Sequence, residues 1–481
     1  MRIFGQTTLP IVRAHFTRAA VAAGALALSC CSGDPVAQHP NIVLLVVDTL
    51  RADHLGAYGY GHPTSPNIDR LAQRGVVFTR ARATSSWTKP SVASLFTSRR
   101  PSEHQAVSFD RGLRADLPTL AELLRDAGYR TMGVSANFVH VNSTTGLSRG
   151  FDIWETITLN PDHTSDDTLL IFRMNRDDEK AVKLRAATAP EVNRVVLDLL
   201  PPAEGPPLFL YVHYMDPHAG YMPPEPYRSA FLDEGDAGKG MSSDTIVDLT
   251  KRSARLSPTD LRRMVALYDA EIATTDAAIG SLLAALEQRG FGDDVVTVVL
   301  SDHGEEFGEH GGWFHGLTLH REALSIPLVI HDSRVSGARS RRTDLVNLLD
   351  VPTTLLALAG VGKAPGMRGR DLLDPGPLPA RDIVAELHPD PLFEDHLHPR
   401  SQALSVKLWP WKVIVVMDGE ERLLYRLDRD PLENEPIDHA VEAAEALLQA
   451  AAELTRTRPT PGPGTSVDPD TLEELRALGY A

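Results

Sequence analysis

The run Asn41-Ile-Val-Leu-Leu-Val-Val47 is apolar without alternation. A strand wetted on one face would alternate polar and apolar side chains. An unbroken run fits a strand covered on both faces, as in a parallel sheet between helical layers. Similar runs recur at Tyr129 to Val134, Leu208 to His213, Val295 to Leu300 and Ile326 to Ile330. Between them the spacing turns helical, at Asn67 to Arg74, Thr119 to Ala127 and most clearly Tyr268 to Arg289. There Ile272, Ile279, Leu282, Leu283 and Leu286 form one stripe, closed by Gly290. Strands alternating with helices predict an α/β fold with a mostly parallel sheet sandwiched by helices.

Beyond residue 400 the elements shorten. Leu404 to Trp409, Trp411 to Met417 and Glu421 to Leu427 read as strands, with a hairpin turn at Asp418-Gly419 and a helix from Ala440 to Thr455. A Pro/Gly linker and a last helix, Pro469 to Leu478, follow. The predicted organisation is a catalytic domain over 41–400, a smaller α+β subdomain over 401–457, and a linker with terminal helix over 458–481. Two irregular stretches, 160–190 and 230–257, are the insertions expected to shape the mouth of a site.

The first thirty residues read as a leader. Arg2, Arg13 and Arg18 precede an apolar run, Ala19 to Leu28, too short to span a bilayer. Ala27-Leu28-Ser29-Cys30-Cys31 resembles a bacterial lipobox, although Ala27 stands where Leu is preferred. Cys30 is the expected lipidated residue and 31–40 the tether of an exported, envelope lipoprotein on the periplasmic or surface side. A signal cut elsewhere or an uncleaved anchor is the alternative. Both cysteines of the chain lie at this junction, so the fold holds no internal disulfide. The net charge of -16, with no basic run, argues against nucleic acid as a partner. It does not argue against a small anionic substrate, because a bound cation inverts the local field.

Acidic and imidazole groups fall where the strands end. Asp48 follows the first strand, and Asp302-His303 follow the strand ending at Leu300. Ligands bind at that edge of an open α/β sheet. Two carboxylates and an imidazole there suit a divalent cation, and Gly304 permits the turn that lets Asp302 and His303 face one point. A lone Asp after a strand is as often a helix cap. Thr88, in Ser86-Trp87-Thr88-Lys89-Pro90-Ser91, opens an apolar helical pattern. From the segment alone it reads as an N-cap; a nucleophile at a helix N-terminus is the alternative.

Several ordered motifs resemble the sulfatase family of the alkaline phosphatase superfamily from about residue 40 onward. Asn41 to Asp48, continued to Gly59, resembles its first metal segment, and Thr64 to Ala72 the helix after it. Thr88-Lys89-Pro90-Ser91 falls on its nucleophile signature, and Ser301-Asp302-His303-Gly304-Glu305 on its second metal segment. Tyr425 to Pro431 and Leu475 to Tyr480 resemble its closing motifs. The resemblance implies a metal-dependent hydrolase in which Asp48, Asp302, His303 and Thr88 hold the cation and Thr88 attacks. His303 in place of a carboxamide ligand points to manganese or zinc, with calcium or magnesium less suited.

The departures matter. Sulfatases convert a Cys or Ser at the nucleophile position into formylglycine, and threonine cannot give that aldehyde. Val92 stands where the family has Arg, Thr49 where it has a second Asp, and Ser135-Ala136-Asn137-Phe138 where it has a sulfate-binding Lys-Trp-His stretch. A formylglycine hydrate expels sulfate by collapsing to the aldehyde. A threonine ester has no such exit and must be cleaved by water, a route open to a phospho-threonine by in-line attack. Phosphate mono- or diesters or phosphonates are therefore the expected substrates, with sulfuric esters as the alternative. Two other readings are a phospho-head-group transferase acting on envelope lipid or glycan, which would share the first half-reaction but usually carries transmembrane helices or a long anchor, and a non-catalytic glycan-binding lipoprotein, against which the intact Asp48, Thr88, Asp302 and His303 set speaks. The expected partner is an anionic ester, small or linked to glycan or lipid. His218, after a strand, resembles a family substrate contact; without that resemblance it reads as a rim histidine. His310 and His315 are candidates for the acid that protonates the leaving group or for a second cation site, and Asn137 and Lys89 for substrate contacts. His213, inside its strand, reads as a core histidine.

Overall fold

The computed structural model describes residues 39–456, apart from 160–171, 174–182, 234–239, 243–244, 247, 250–254, 336–339, 389–401, 417–420 and 438–443. The leader with Cys30, most of the tether, the Asp418-Gly419 turn and everything from 457 on lie outside the described residues.

The central sheet contains β1 (Asn41–Val47), β2 (Val76–Arg82), β3 (Arg130–Ser135), β4 (Ile153–Thr156), β5 (Leu208–Tyr214), β6 (Val295–Leu300), β7 (Leu328–Asp332) and β8 (Ser340–Asn347). Their order across the sheet is β8-β2-β7-β6-β1-β5-β3-β4. Every pairing is parallel except the two that β7 makes, with β2 and β6. Alternate residues of β1 enter opposite cores, which explains its unbroken apolar run. Ile42, Leu44 and Val46 pack with α-helices α2 (Thr88–Thr97), α3 (Leu120–Asp126) and α5 (Asp350–Leu358). Val43, Leu45 and Val47 pack with α1 (Pro66–Ala72) and α4 (Pro258–Leu286). This is the α/β sandwich the alternation predicts.

The differences have local causes. The helix expected from Tyr268 starts at Pro258, because Ser257 caps it by accepting from the Asp260 amide and Pro258 suits a first turn. The apolar run of β2 stops at Phe78 and β8 has none; they pair at one margin of the sheet, where β8 is largely half-buried or exposed. The C-terminal sheet is antiparallel: β9 (Ile383–Leu387), β10 (Ala403–Leu408), β11 (Trp411–Val416) and β12 (Arg422–Arg426). Its first strand lies ahead of residue 401. One face packs Ala385, Leu387 and Ile414 onto the main core. The other packs Val406, Val413 and Leu424 under α6 (Glu445–Arg456) through Leu447 and Ala451.

Candidate active site

The parallel strands deliver their last residues to one edge. Asp48 follows β1, Asp302-His303 follow β6, Asn137 follows β3, and Thr88 is the first residue of α2. The Leu50 amide donates to Ser301 Oγ at 2.9 Å, tying the first two segments together. All these side chains are buried.

His303 Nδ1 donates to the Gly304 carbonyl at 2.9 Å, which turns Nε2 toward the cluster; burial opposes a charge on this ring, but the Asp302 and Asp48 carboxylates outweigh it and raise its pKa. That Nε2 is 3.2 Å from Thr88 Oγ1 and 3.5 Å from each of Asp48 Oδ1 and Asp302 Oδ2. Gly304 is required, because a Cβ there would meet the Glu322 carbonyl oxygen at 1.9 Å. Asp48 Oδ2 accepts from Asn137 Nδ2 at 2.8 Å and faces His213 Nε2 at 3.2 Å. Asp302 Oδ1 accepts from the His303 amide at 2.9 Å. The remaining oxygens, Asp48 Oδ1 and Asp302 Oδ2, are buried with no hydrogen-bond partner among the described residues. A buried acceptor left so costs ~1–3 kcal/mol, more when charged. Two orphaned carboxylate oxygens beside an imidazole nitrogen fit a divalent cation, which would take the place of the proton on that nitrogen. Asp48, His213 and Asp302 also each offer an atom within 4.8 Å of one another.

Two features of the backbone serve this cluster. Thr49 sits at φ +56, a left-handed conformation unfavourable for a β-branched residue, and its carbonyl is held by the Tyr268 hydroxyl at 2.8 Å. Thr88 is not a cap. The helix has Trp87 at that position, with no side-chain cap bond, and the Thr88 hydroxyl turns to His303, Asp48 at 3.5 Å and Asn137 at 3.5 Å. Burial alone would raise the Asp48 carboxyl, but the His213 bond and the nearby imidazoles hold it well below the usual carboxylate range. Burial and the Asp48 charge push Asp302 up to about 6.

His218 and His315 join the site. Their rings are 4.8 Å apart, and His315 is 4.5 Å from the His303 ring. Burial pushes His218 down to about 4 against the pull of Asp48. His315 Nδ1 bonds Glu305 Oε1 at 2.8 Å, and burial pushes Glu305 up to about 7. Phe314, at φ +79, stacks on His315 at 3.8 Å. Sequence reasoning missed Glu305, and it read His213 as core. The one signal for His213 is its place near the carboxyl end of a central strand; in register it pairs with Val46, two residues before Asp48.

The structure places two candidates elsewhere. Lys89 Nζ donates to the Ser108 and Phe109 carbonyls at 2.9 and 3.1 Å. His310 bonds Glu322 through Nδ1 and the Glu433 carbonyl through Nε2 at 2.7 Å, and it stacks on His320 at 3.8 Å. It clamps the C-terminal sheet, because Glu433 also pairs with buried Lys412 of β11 at 2.6 Å. Burial opposes the charge on His310, but the Glu322 bond and charge more than offset it and raise it to about 9. A raised histidine stabilises the fold fully below the unfolded pKa of ~6.5, and the contribution is lost as pH rises through the folded value. Melting curves are expected to lose about 1–2 kcal/mol between pH 6.5 and 9.5 on this account, after discounting a half-buried group for solvent screening. His310→Gln should flatten that slope; an unchanged slope would remove His310 as its source.

The chain matches the sulfatase family over residues 40–361. An arylsulfatase of Clostridium perfringens is 25% identical to it over 449 residues, spanning 82% of this chain and 89% of the relative. Among solved structures, a phosphonate monoester hydrolase from Silicibacter pomeroyi superposes with a TM-score of 0.69 at 21% identity, covering 87% of this chain and 95% of that one. A 2-O GAG sulfatase gives 0.66 at 17% identity, covering 87% and 91%. The likeness to these structures is one of fold.

Proposed function

The chain belongs to the sulfatase family, and on that premise we propose that it is a metal-dependent hydrolase with Thr88 as nucleophile, acting on phosphate mono- or diesters or phosphonates. The observation that carries this reading is the Thr88 hydroxyl, 3.2 Å from His303 Nε2 and 3.5 Å from Asp48 Oδ2 at the head of a buried helix. A hydroxyl at the nucleophile position can form an ester bond but cannot collapse to an aldehyde, so its ester must be opened by water.

Asp48, Asp302 and His303 would hold the cation, with Thr88 beside them; their donor types suit manganese or zinc. When bound, the cation supplies positive charge that lowers the hydroxyl pKa and draws charge from a non-bridging oxygen. Thr88 Oγ1 attacks phosphorus in line, forming the Oγ–P bond as the bond to the leaving oxygen breaks. The hydroxyl proton has the Asp48 carboxylate, with Oδ2 3.5 Å away, as its nearby acceptor. Asn137 Nδ2 donates toward both Asp48 and Thr88 and fixes the hydroxyl's direction. The leaving oxygen takes a proton from the Glu305–His315 pair, where Glu305 still holds one in the neutral range. Neutral His218 donates to, or accepts from, the substrate. Water then attacks the phospho-Thr88 and restores the hydroxyl. The resemblance of Ala27 to Cys31 to a lipobox supports an envelope location for this activity.

A second reading, sulfuric ester hydrolysis, is favoured by the arylsulfatase relative. Paired assays separate the two. Aryl phosphate diester, monoester, phosphonate and sulfate are each given to the purified chain with manganese, with zinc and with chelator. Metal-dependent cleavage of a phosphorus ester, with kcat/KM about a hundredfold or more above that for the sulfate, is expected; that ratio is ~2.7 kcal/mol of transition-state discrimination. Cleavage of the sulfate alone would sink the proposal.

A further inference from the structure

Resting on the cation reading of the Asp48 cluster, we propose that Tyr211 and His213 form a positioning pair that aims Asp48 and sets the affinity of the site for its divalent cation. The two residues are adjacent on one face of β5, as strand periodicity requires. Both are fully buried. Tyr211 Oη is 2.8 Å from His213 Nδ1, and His213 Nε2 is 3.2 Å from Asp48 Oδ2.

Donor and acceptor chemistry gives this chain of bonds a direction. A cation-binding carboxylate only accepts, so His213 Nε2 carries the hydrogen and donates it to Asp48 Oδ2. His213 Nδ1 is then bare and accepts the Tyr211 hydroxyl proton. The phenol thus fixes the tautomer of an imidazole that orients a ligand.

The consequence falls on the other oxygen of Asp48. With Oδ2 engaged by His213 and Asn137, the carboxylate plane is held, and Oδ1 is left without a partner, facing His303 Nε2 at 3.5 Å. Without His213, Oδ2 keeps only the Asn137 bond and the long 3.5 Å contact of Thr88, and the carboxylate is freer to turn. The pair is also tied to the nucleophile. The Tyr211 ring meets Phe96 of α2 edge-on at 4.9 Å, and α2 begins at Thr88. Trp154 stacks on the same ring at 6.1 Å. His213 could instead ligate the cation directly; its Nε2 lone pair would then face the metal and the Tyr211 oxygen would accept. The experiment distinguishes the two.

Manganese affinity is measured calorimetrically on the full chain, wild type, Tyr211→Phe, His213→Ala and His213→Gln, with circular dichroism and metal-free melting to confirm folding. Partners of this kind typically control 10–100-fold in metal affinity. His213→Ala is expected to weaken manganese by about that factor, and Tyr211→Phe by about tenfold. His213→Gln, whose amide N–H can replace Nε2–H, should recover most of the loss. The visible spectrum of the cobalt(II) form should keep its band positions in His213→Gln, because the ligands are unchanged. Affinities within twofold of wild type in both Tyr211→Phe and His213→Ala would overturn the proposal. A shifted cobalt spectrum in His213→Gln would overturn it in favour of direct ligation. A wild-type chain that binds neither cation would instead remove the cation reading on which it rests.

Discussion

Thr88→Ala is expected to lower kcat/KM on the preferred phosphorus ester on the order of 10⁴-fold or more, while leaving the thermal midpoint nearly unchanged. The large kinetic effect follows from the site's composition. Asp48, Asp302 and His303 would still gather a cation, but no described side chain other than Thr88 puts a hydroxyl within 3.2 Å of His303 Nε2. Residual rate would come only from direct attack by water. The small stability effect follows from the same distances. The hydroxyl's contacts to Asp48 and Asn137 are long, at 3.5 Å, and it does not cap its helix. Thr88→Ser should keep the mechanism, with a loss within about tenfold, because the oxygen remains and only the methyl that limits its rotamers is removed. Quenching the wild type during turnover and mapping Thr88 by mass spectrometry should find one added phosphoryl group. An alanine variant that turned over at more than about a hundredth of the wild-type rate would dispose of Thr88 as nucleophile.

What the sequence carried, and what it withheld, follows from how far each side chain's fate is decided locally. A strand buried on both faces announces itself by an unbroken apolar run, so β1, β3, β5 and β6 were legible. The residues that follow them, Asp48 and Asp302-His303, were legible as a cluster because parallel strands end on one edge. β2 and β8 were not, since Thr79, Arg80 and Arg82 break the run and the half-exposed surface of β8 tolerates polar residues. Lys89 looked promising by its neighbourhood to Thr88. Consecutive helical residues point about 100° apart, so when Thr88 faces His303 its neighbour faces away, to the Ser108 and Phe109 carbonyls. His310 and His315, seven and twelve residues after His303, are not told apart by the sequence around them. Only the short hairpin of Glu306–Phe307 with Trp313–Phe314, with Phe314 at φ +79, decides that His315 meets the site while His310 clamps the C-terminal sheet. His213 is the instructive omission. A histidine within a buried strand is a core residue until the register beside β1 is known.

Asp302→Asn is expected to abolish cation-dependent turnover and cation-dependent stabilisation together, without destabilising the cation-free fold. The wild-type cluster is arranged for more positive charge than its one imidazole between the two carboxylates supplies. Asp48 Oδ1 and Asp302 Oδ2 are both buried and unpartnered, each 3.5 Å from the same imidazole nitrogen. Two carboxylates so placed repel one another and have given up water, a cost the protein meets elsewhere in its core. A bound cation reverses the sign. At about a thousandfold excess over its Kd it stabilises the folded state by ~4 kcal/mol. Replacing Asp302 by asparagine keeps the acceptor for the His303 amide, removes one of the two charges, and introduces an N–H donor toward the orphaned Asp48 oxygen. The substituted chain in chelator should therefore melt at or above the wild-type midpoint, by up to about 1 kcal/mol, the size of one net hydrogen bond. With manganese or zinc the order should invert, because the wild type gains the binding energy and the variant does not. Differential scanning calorimetry of both proteins, with cation and with chelator, reads all four states. A variant more than about 1 kcal/mol less stable than wild type in chelator would make Asp302 a structural residue rather than one held at cost for its ligand.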